Sequence, residues 1–241
     1  MIKVTYIFHS CYVIEFERFS VVFDFYKDIP TGTDSYWMRD YLLNKQQDLY
    51  VLSTHSHADH FNPDIFGWKQ RKENIKYIFS QEIFDEKSID QQEIIYLDKL
   101  ETYKDDNLKI AAFGSTDTGA SFLLDVNDKK IFHAGDLNNW HWNEEVSVQE
   151  ASTFENNFLC ELELIAEESN EVFLAMFPVD PRLGKDYMRG AEQFVKRIST
   201  DYFLPLHFGE NYQQANRFTK LAKMQNSTFL QVTHQGQSFE I

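Results

Sequence analysis

The feature that most constrains this chain is a run of ligand-type side chains placed directly after an apolar strand. Residues 48–54, DLYVLST, read as a strand, and the next six positions, HSHADH, set His55, His57, Asp59 and His60 on the loop at its end. If extended geometry persists briefly, His55 and His57 point to the same side, because side chains alternate with period two, while Asp59 and His60 follow on the turn. Neutral imidazole nitrogen and carboxylate oxygen are donors that Zn²⁺, Mn²⁺ and Fe²⁺ all accept. A merely structural loop has no need of three imidazoles beside a carboxylate, so the pattern predicts a metal site with two adjacent positions.

The rest of the chain supplies a frame for that loop. VTYIF, YVIEFE and SVVFDFY predict a three-strand meander, SYWMRDYLLN has helical spacing at Trp37, Tyr41 and Leu42, and KYIFS, EIIYL, LKIAAFG, SFLLDV and KIFHAG read as further strands. Between Val148 and Glu168, the residues Phe154, Phe158, Leu162, Ile165 and Ala166 share one helical face, which predicts an amphipathic helix over a sheet. EVFLAMFPV is a strand, GAEQFVKRIS a helix, DYFLPLHFG a strand ending in a histidine and QANRFTKLAKM a last helix, an alternation that favours α/β layering. With 241 residues, 43% hydrophobic, and no Pro/Gly/Ser-rich linker, low-complexity tract or repeat, a single domain over residues 1–241 is the economical reading.

Charge and composition exclude several function classes. Acidic residues outnumber basic ones 38 to 23, a net charge of -15 that repels nucleic acid and anionic membranes. The run Lys69, Arg71, Lys72 and Lys76 is too small to signal a nuclease and reads as surface cover. No stretch approaches the roughly 20 apolar residues of a membrane span, and the start MIKVTYIFHS lacks the pattern of a secretory signal, so a cytoplasmic location is expected. Cys11 and Cys160 cannot build a disulfide framework and are expected to be buried, reduced thiols.

The loop resembles the His-x-His-x-Asp-His signature of the metallo-β-lactamase superfamily. YIFHSCYVIEFERFSVVFDF is similar to the first strands of its UlaG-like and UPF0173-type branch, IFHAGDLNNW to the segment bearing the bridging aspartate, here Asp136, and FLPLHFG to the strand bearing its last histidine, here His207. The resemblance implies an αββα sandwich and a dinuclear site of divalent transition metal ions, Zn, Mn or Fe. His55, His57 and Asp117 would then hold one ion, Asp59, His60 and His207 the other, with Asp136 between them. The family's usual intervening histidine is absent. GSTDTGASF offers Asp117 at that place, either as a harder carboxylate ligand shifting preference toward Mn²⁺ or Fe²⁺, or as an ordinary turn residue.

Most of the remaining candidates have two readings. Trp140, His141 and Trp142 wall a substrate pocket or pack a loop onto the sheet. Arg182 clamps a substrate anion or pairs structurally with Asp180, and His9 stands at the end of the first strand as a further pocket residue. Asp24 partners a ligating histidine or caps a turn, and His133, three residues before Asp136, belongs to the opposite face.

Neither a Gly-x-Ser-x-Gly elbow nor a phosphate-cradling lysine loop competes with metal chemistry. Two ions activating a water describe hydrolysis, with Asp59 orienting the nucleophile or taking its proton. The expected function is a metal-dependent hydrolase of a small, anionic ester, lactone or phosphodiester. The alternatives are a non-catalytic metal or ligand sensor and an iron-dependent redox enzyme.

Overall fold

The apolar runs of the first hundred residues become a sheet whose strand directions place the histidine loop. A computed structural model describes residues 1–89 and 93–241. In chain order its strands are β1 Lys3–Phe8, β2 Cys11–Glu15, β3 Phe19–Phe23, β4 Pro30–Gly32, β5 Ser35–Tyr36, β6 Asp48–Ser53, β7 Ile75–Ser80, β8 Ile94–Leu97, β9 Thr102–Lys104, β10 Lys109–Gly114, β11 Ala120–Val126, β12 Lys129–His133, β13 Glu171–Pro178, β14 Ser199–Leu206, β15 Thr228–Phe229 and β16 Ser238–Glu240. The helices are α1 Gln81–Lys87, α2 Val148–Glu168, α3 Arg189–Arg197, α4 Tyr212–Ala215 and α5 Thr219–Met224. Contacts divide the chain into two units, Met1–Tyr96 with Thr233–Ile241, and Leu97–Val232. Each holds one seven-stranded sheet.

In the first unit the order is β16-β1-β2-β3-β6-β7-β8. The expected meander is present, β1 and β2 pairing antiparallel and β2 with β3 likewise, after which β3, β6 and β7 run parallel. Hence β1, β3 and β6 point the same way, and the residues after their C-terminal ends, His9, Asp24 and 54–60, emerge on one edge. Strands β2 and β3 are buried at every position, which explains runs of apolar residues in place of strict alternation. One core cluster joins Val13, Val22 and Val51 to Ile65 and Trp68 of the 3₁₀ segment Pro63–Gln70 and to Met38 and Leu42. The helical spacing at 35–44 yields only one π-helical turn, Met38–Leu42.

In the second unit β9 to β12 form an antiparallel run, and β12, β13, β14 and β15 continue in parallel. Strands β10, β12, β13 and β14 therefore share a direction. Their C-terminal ends deliver Asp117, Asp136, Asp180 and His207 to one edge, the place where sheets of this kind bind ligands. Helix α2 begins in a capping box between Ser147 and Glu150 and buries Ala151, Phe158, Leu162, Ile165 and Ala166. Phe177 packs with Phe158, Phe194 and Phe203 at centroid distances of 6.1, 4.8 and 6.5 Å. Truncating such a buried ring costs about 3–5 kcal/mol.

Several expectations are corrected. Phe154 stays half-buried instead of joining the buried face of α2. Cys11 is buried, but Cys160 is exposed, because it falls on the solvent side of that helix. Lys72 is buried, not surface cover, its Nζ donating to the Lys45 carbonyl at 2.6 Å. The last helix is broken into α4, a 3₁₀ turn Asn216–Phe218 and α5, with the Asn216 side chain bonding the backbone of Val232. Among the described residues no helix is long and apolar enough to cross a membrane.

A buried carboxylate secures β2. The Glu15 side chain is 6% exposed and meets Lys3 Nζ at 3.1 Å, Lys45 Nζ, and the Tyr41 hydroxyl, which donates at 3.0 Å. Burial raises its pKa, but Lys45, Lys3 and Tyr41 outweigh that and leave it lowered. Because the folded pKa is depressed, this stabilisation is present above the ordinary glutamate value and is lost as pH falls through the lowered one. Glu15→Gln is expected to cost about 1–2 kcal/mol at pH 7, discounted for the partly exposed lysines. Urea unfolding of both proteins should show the gap closing below about pH 4; a gap constant with pH contradicts this role.

Candidate metal centre

The first unit orders its imidazoles through one carboxylate. Asp24 is fully buried, and its Oδ1 accepts the Thr54 N–H at 2.8 Å, while Oδ2 accepts the Thr54 hydroxyl and His60 Nδ1, each at 2.8 Å. A carboxylate only accepts, so the His60 proton sits on Nδ1 and the lone pair on Nε2. The Thr54 hydroxyl, having given its proton to Asp24, accepts from His55 Nδ1 at 3.0 Å, which leaves the His55 lone pair on Nε2 as well. Burial and the neighbouring His60 push the His55 imidazole down to about 2, so it is neutral at ordinary pH, the form that binds metal.

The strand does not continue past Ser53, yet His55 and His57 still meet, with Nε2 of the one 3.1 Å from Nδ1 of the other. Two imidazoles on one tetrahedral zinc, at about 2.0–2.1 Å each, would hold their nitrogens about 3.3 Å apart. A tight turn returns the chain, His60 and Phe61 N–H both bonding the His57 carbonyl at 3.0 and 2.9 Å. Donor atoms of His9, Asp59 and His60 consequently lie within 4.8 Å of one another. His9 Nε2 is 3.2 Å from Asp59 Oδ2 and holds that carboxyl well below the usual carboxylate range. The donor set therefore fits a divalent transition metal by both chemistry and spacing.

Sequence reasoning missed Glu82. Its carboxylate accepts the Ser56 N–H at 2.8 Å and the Ser56 hydroxyl at 2.6 Å, clamping the residue between His55 and His57 from the first turn of α1. Left-handed backbone was also hidden. His9, Asp24 and His207 stand at φ 58°, 45° and 58°, each a strain of about 1–3 kcal/mol that the surrounding hydrogen bonds must hold.

The second unit repeats the carboxylate device. Asp180 Oδ2 accepts His207 Nδ1 at 2.9 Å, placing that lone pair on Nε2, which lies 3.4 Å from Asp136 Oδ1. Arg182 donates from Nε to both Asp180 oxygens, at 3.1 and 2.8 Å, and from Nη2 to Oδ2 at 2.5 Å, the structural pair of its two readings. Burial raises the Asp180 pKa, but His207 and Arg182 carry it down to about 2. Gly135, at φ 54°, makes the turn that delivers Asp136, and His133 is buried, its Nδ1 accepting the Gly135 N–H at 3.2 Å.

A cavity of about 310 Å³ is lined by Asp117, Asp136, Trp140, Trp142, Arg182 and His207, among others. Asp117 is exposed, its N–H directed at Ser115 Oγ, as a turn residue's is. His141 is turned inward, unlike the pocket residue it was expected to be. It is 1% exposed, with Nδ1 accepting the Asn143 N–H and Nε2 facing the Asp186 carbonyl, both at 3.2 Å. Asp24→Asn, which no longer fixes the His60 proton on Nδ1, is expected to lower affinity for Zn²⁺ or Co²⁺ about ten- to hundredfold. Competition against a chromogenic chelator measures this, and unchanged affinity would remove Asp24 from the account.

A family model described as a beta-lactamase superfamily domain matches residues 3–150, more than half of the chain. A comparison with curated proteins finds no match. Among solved structures, the chain is similar to Igni18, a metallo hydrolase from the archaeon Ignicoccus hospitalis, with TM-score 0.70, 20% identity, and coverage of 100% of this chain and 99% of that one. It is also similar to CmlA, a diiron β-hydroxylase from Streptomyces venezuelae, with TM-score 0.66 and 13% identity over 100% of this chain and 54% of CmlA, about half that protein's length. An isothiocyanate hydrolase from Delia radicum gut bacteria follows, with TM-score 0.54 and 14% identity over 99% and 98%. These likenesses show the expected sandwich fold, the matches identify no branch within the superfamily, and the chain belongs to the β-lactamase superfamily.

Proposed function

We propose that this protein is a metal-dependent hydrolase of a small ester, lactone or phosphodiester. Its one or two divalent ions would be held by His55, His57, Asp59 and His60 of the first unit and by Asp136 and His207 of the second. The observation that carries this reading is the matched pair of buried carboxylates, Asp24 on His60 Nδ1 and Asp180 on His207 Nδ1, which set both imidazoles as Nε2 donors. Asp117, on the cavity wall, is left out of the ligand set because neither group of clustered donors among the described residues includes it.

Ions bound there would lower the pKa of a water and polarise the substrate's carbonyl or phosphoryl oxygen. The chain's own groups do the rest. Asp59, kept ionised by His9, orients the nucleophile or takes its proton. Asp24 and Asp180 keep the imidazoles from turning, and Glu82 holds the backbone between His55 and His57 in place. The anionic preference read from the sequence rested on the branch resemblance and on an aromatic, partly basic pocket, whose Arg182 is exposed and donates from Nε and Nη2 to Asp180. With a net charge of -15, a small molecule is a better partner than nucleic acid. Iron-dependent redox chemistry is the second reading, since the same mixture of imidazole and carboxylate suits Fe²⁺.

Protein purified without added metal should carry one to two transition-metal ions per chain. Chelation should abolish turnover across a panel of esters, lactones and phosphodiesters, with recovery on adding back Zn²⁺, Mn²⁺ or Fe²⁺. His57→Ala should lose both metal and activity. Metal-free protein that still hydrolyses the panel would end the proposal, full metal occupancy without turnover would favour a sensor, and iron with oxygen-dependent turnover would favour the redox reading.

A further inference from the structure

Trp140 touches both of the donors that the second unit brings together. Asp136 Oδ1 and His207 Nε2 lie 3.4 Å apart. Two ligands on one tetrahedral ion, with bonds of about 2.0–2.2 Å, would be separated by roughly 3.3–3.5 Å. Holding that separation requires the backbone of Asp136 and the ring of His207 to stay in place, and the Trp140 indole meets each of them.

At Asp136 the contact is polar. The indole reaches back four residues, and its Nε1–H donates to the Asp136 carbonyl at 2.8 Å, which ties down the backbone from which the carboxylate projects. At His207 the contact is between rings, nearly perpendicular at 71° with centroids 5.5 Å apart. Asp180 fastens that imidazole through Nδ1, but the torsion about its Cβ–Cγ bond is broad, and packing must restrain it. An indole set across the ring does so.

Trp140 can serve as a strut because its own loop is fixed. Thr116 Oγ1 donates to the Asn138 carbonyl at 2.6 Å and accepts the Asn138 N–H at 3.0 Å. The Trp140 N–H bonds the same carbonyl at 3.1 Å, and Asn139 Nδ2 donates to Gln193 of α3 at 2.9 Å. The Trp142 indole stacks on that of Trp140, 14° from parallel. A buried indole N–H needs an acceptor, and any carbonyl would satisfy it. Here the acceptor belongs to one metal-type donor and the neighbouring ring is the other, which mere filling of space does not require.

We propose that Trp140 is a positioning residue for metal, setting the spacing of Asp136 and His207 through its Nε1–H and its ring. The proposal rests on the reading that these two side chains hold an ion, and not on hydrolysis. Co²⁺ titration of the full-length protein tests it, read by chelator competition and by the visible d–d bands of the loaded protein. Trp140→Phe keeps a ring against His207 and removes the donor; it should weaken Co²⁺ binding about three- to tenfold. Trp140→Leu removes both contacts and should weaken binding about ten- to hundredfold, with altered d–d bands at saturation. Phe218→Leu trims a buried ring packed on Phe203 and Phe229. It should lower the melting temperature and leave affinity and bands unchanged, which separates lost stability from lost positioning. Folded Trp140 variants with unchanged affinity and bands overturn the proposal, as does Phe218→Leu weakening binding as much as Trp140→Leu. If His207→Ala binds Co²⁺ as the unaltered protein does, the metal reading of the second unit falls and the proposal with it. Binding that depends on both His207 and Trp140 supports the proposal whether or not any ester, lactone or phosphodiester is hydrolysed.

Discussion

The carboxylate of Asp24 is the interaction on which the histidine loop depends. One fully buried side chain takes the Thr54 N–H, the Thr54 hydroxyl and His60 Nδ1, and through the threonine it also fixes His55. Two ring orientations and two proton positions are thereby settled before any ligand arrives. A buried charge of this kind is tolerable because every one of these donors compensates it, and the loss of one partner would leave the rest uncompensated. Asp180 plays the corresponding part for His207, with Arg182 as an additional donor.

Strand direction puts these carboxylates where they are. In each sheet the strands whose ends bear functional residues run the same way: β1, β3 and β6 in the first, β10, β12, β13 and β14 in the second. Their side chains gather on an edge without belonging to neighbouring stretches of sequence. The backbone at those ends is often left-handed, at His9, Asp24, Gly135 and His207, because the chain must turn sharply off the sheet while aiming a side chain back over its edge.

Much of this was legible in the sequence, for identifiable reasons. Apolar runs such as SVVFDF and EVFLAMFP marked strands because both faces of those strands are buried. Helix α2 could be bounded because its apolar positions repeat at helical spacing and Ser147 with Glu150 forms a capping box. The spacing of His55, His57, Asp59 and His60 exposed a metal-type loop, and Asp24 at the end of a strand was recognisable as a partner for a histidine. Other features are long-range and left no local trace. Glu82 meets Ser56 only because β6 and β7 pair in parallel. The strands β9, β15 and β16 have two or three residues each and gain their identity from the edge they join. The left-handed backbone of Trp142 is likewise something no periodicity reveals.

The central claim is that His60 and His207 are Nε2 donors to metal, with Nδ1 of each committed to a carboxylate. A crystal structure of the metal-loaded protein, with anomalous scattering collected at the absorption edge of the bound element, measures this directly. The account predicts anomalous peaks about 2.0–2.2 Å from His60 Nε2 and from His207 Nε2, with the Asp24 and Asp180 contacts to Nδ1 retained. Density for the metal at Nδ1 of either ring, or ions bound only at sites remote from both histidines, would contradict it.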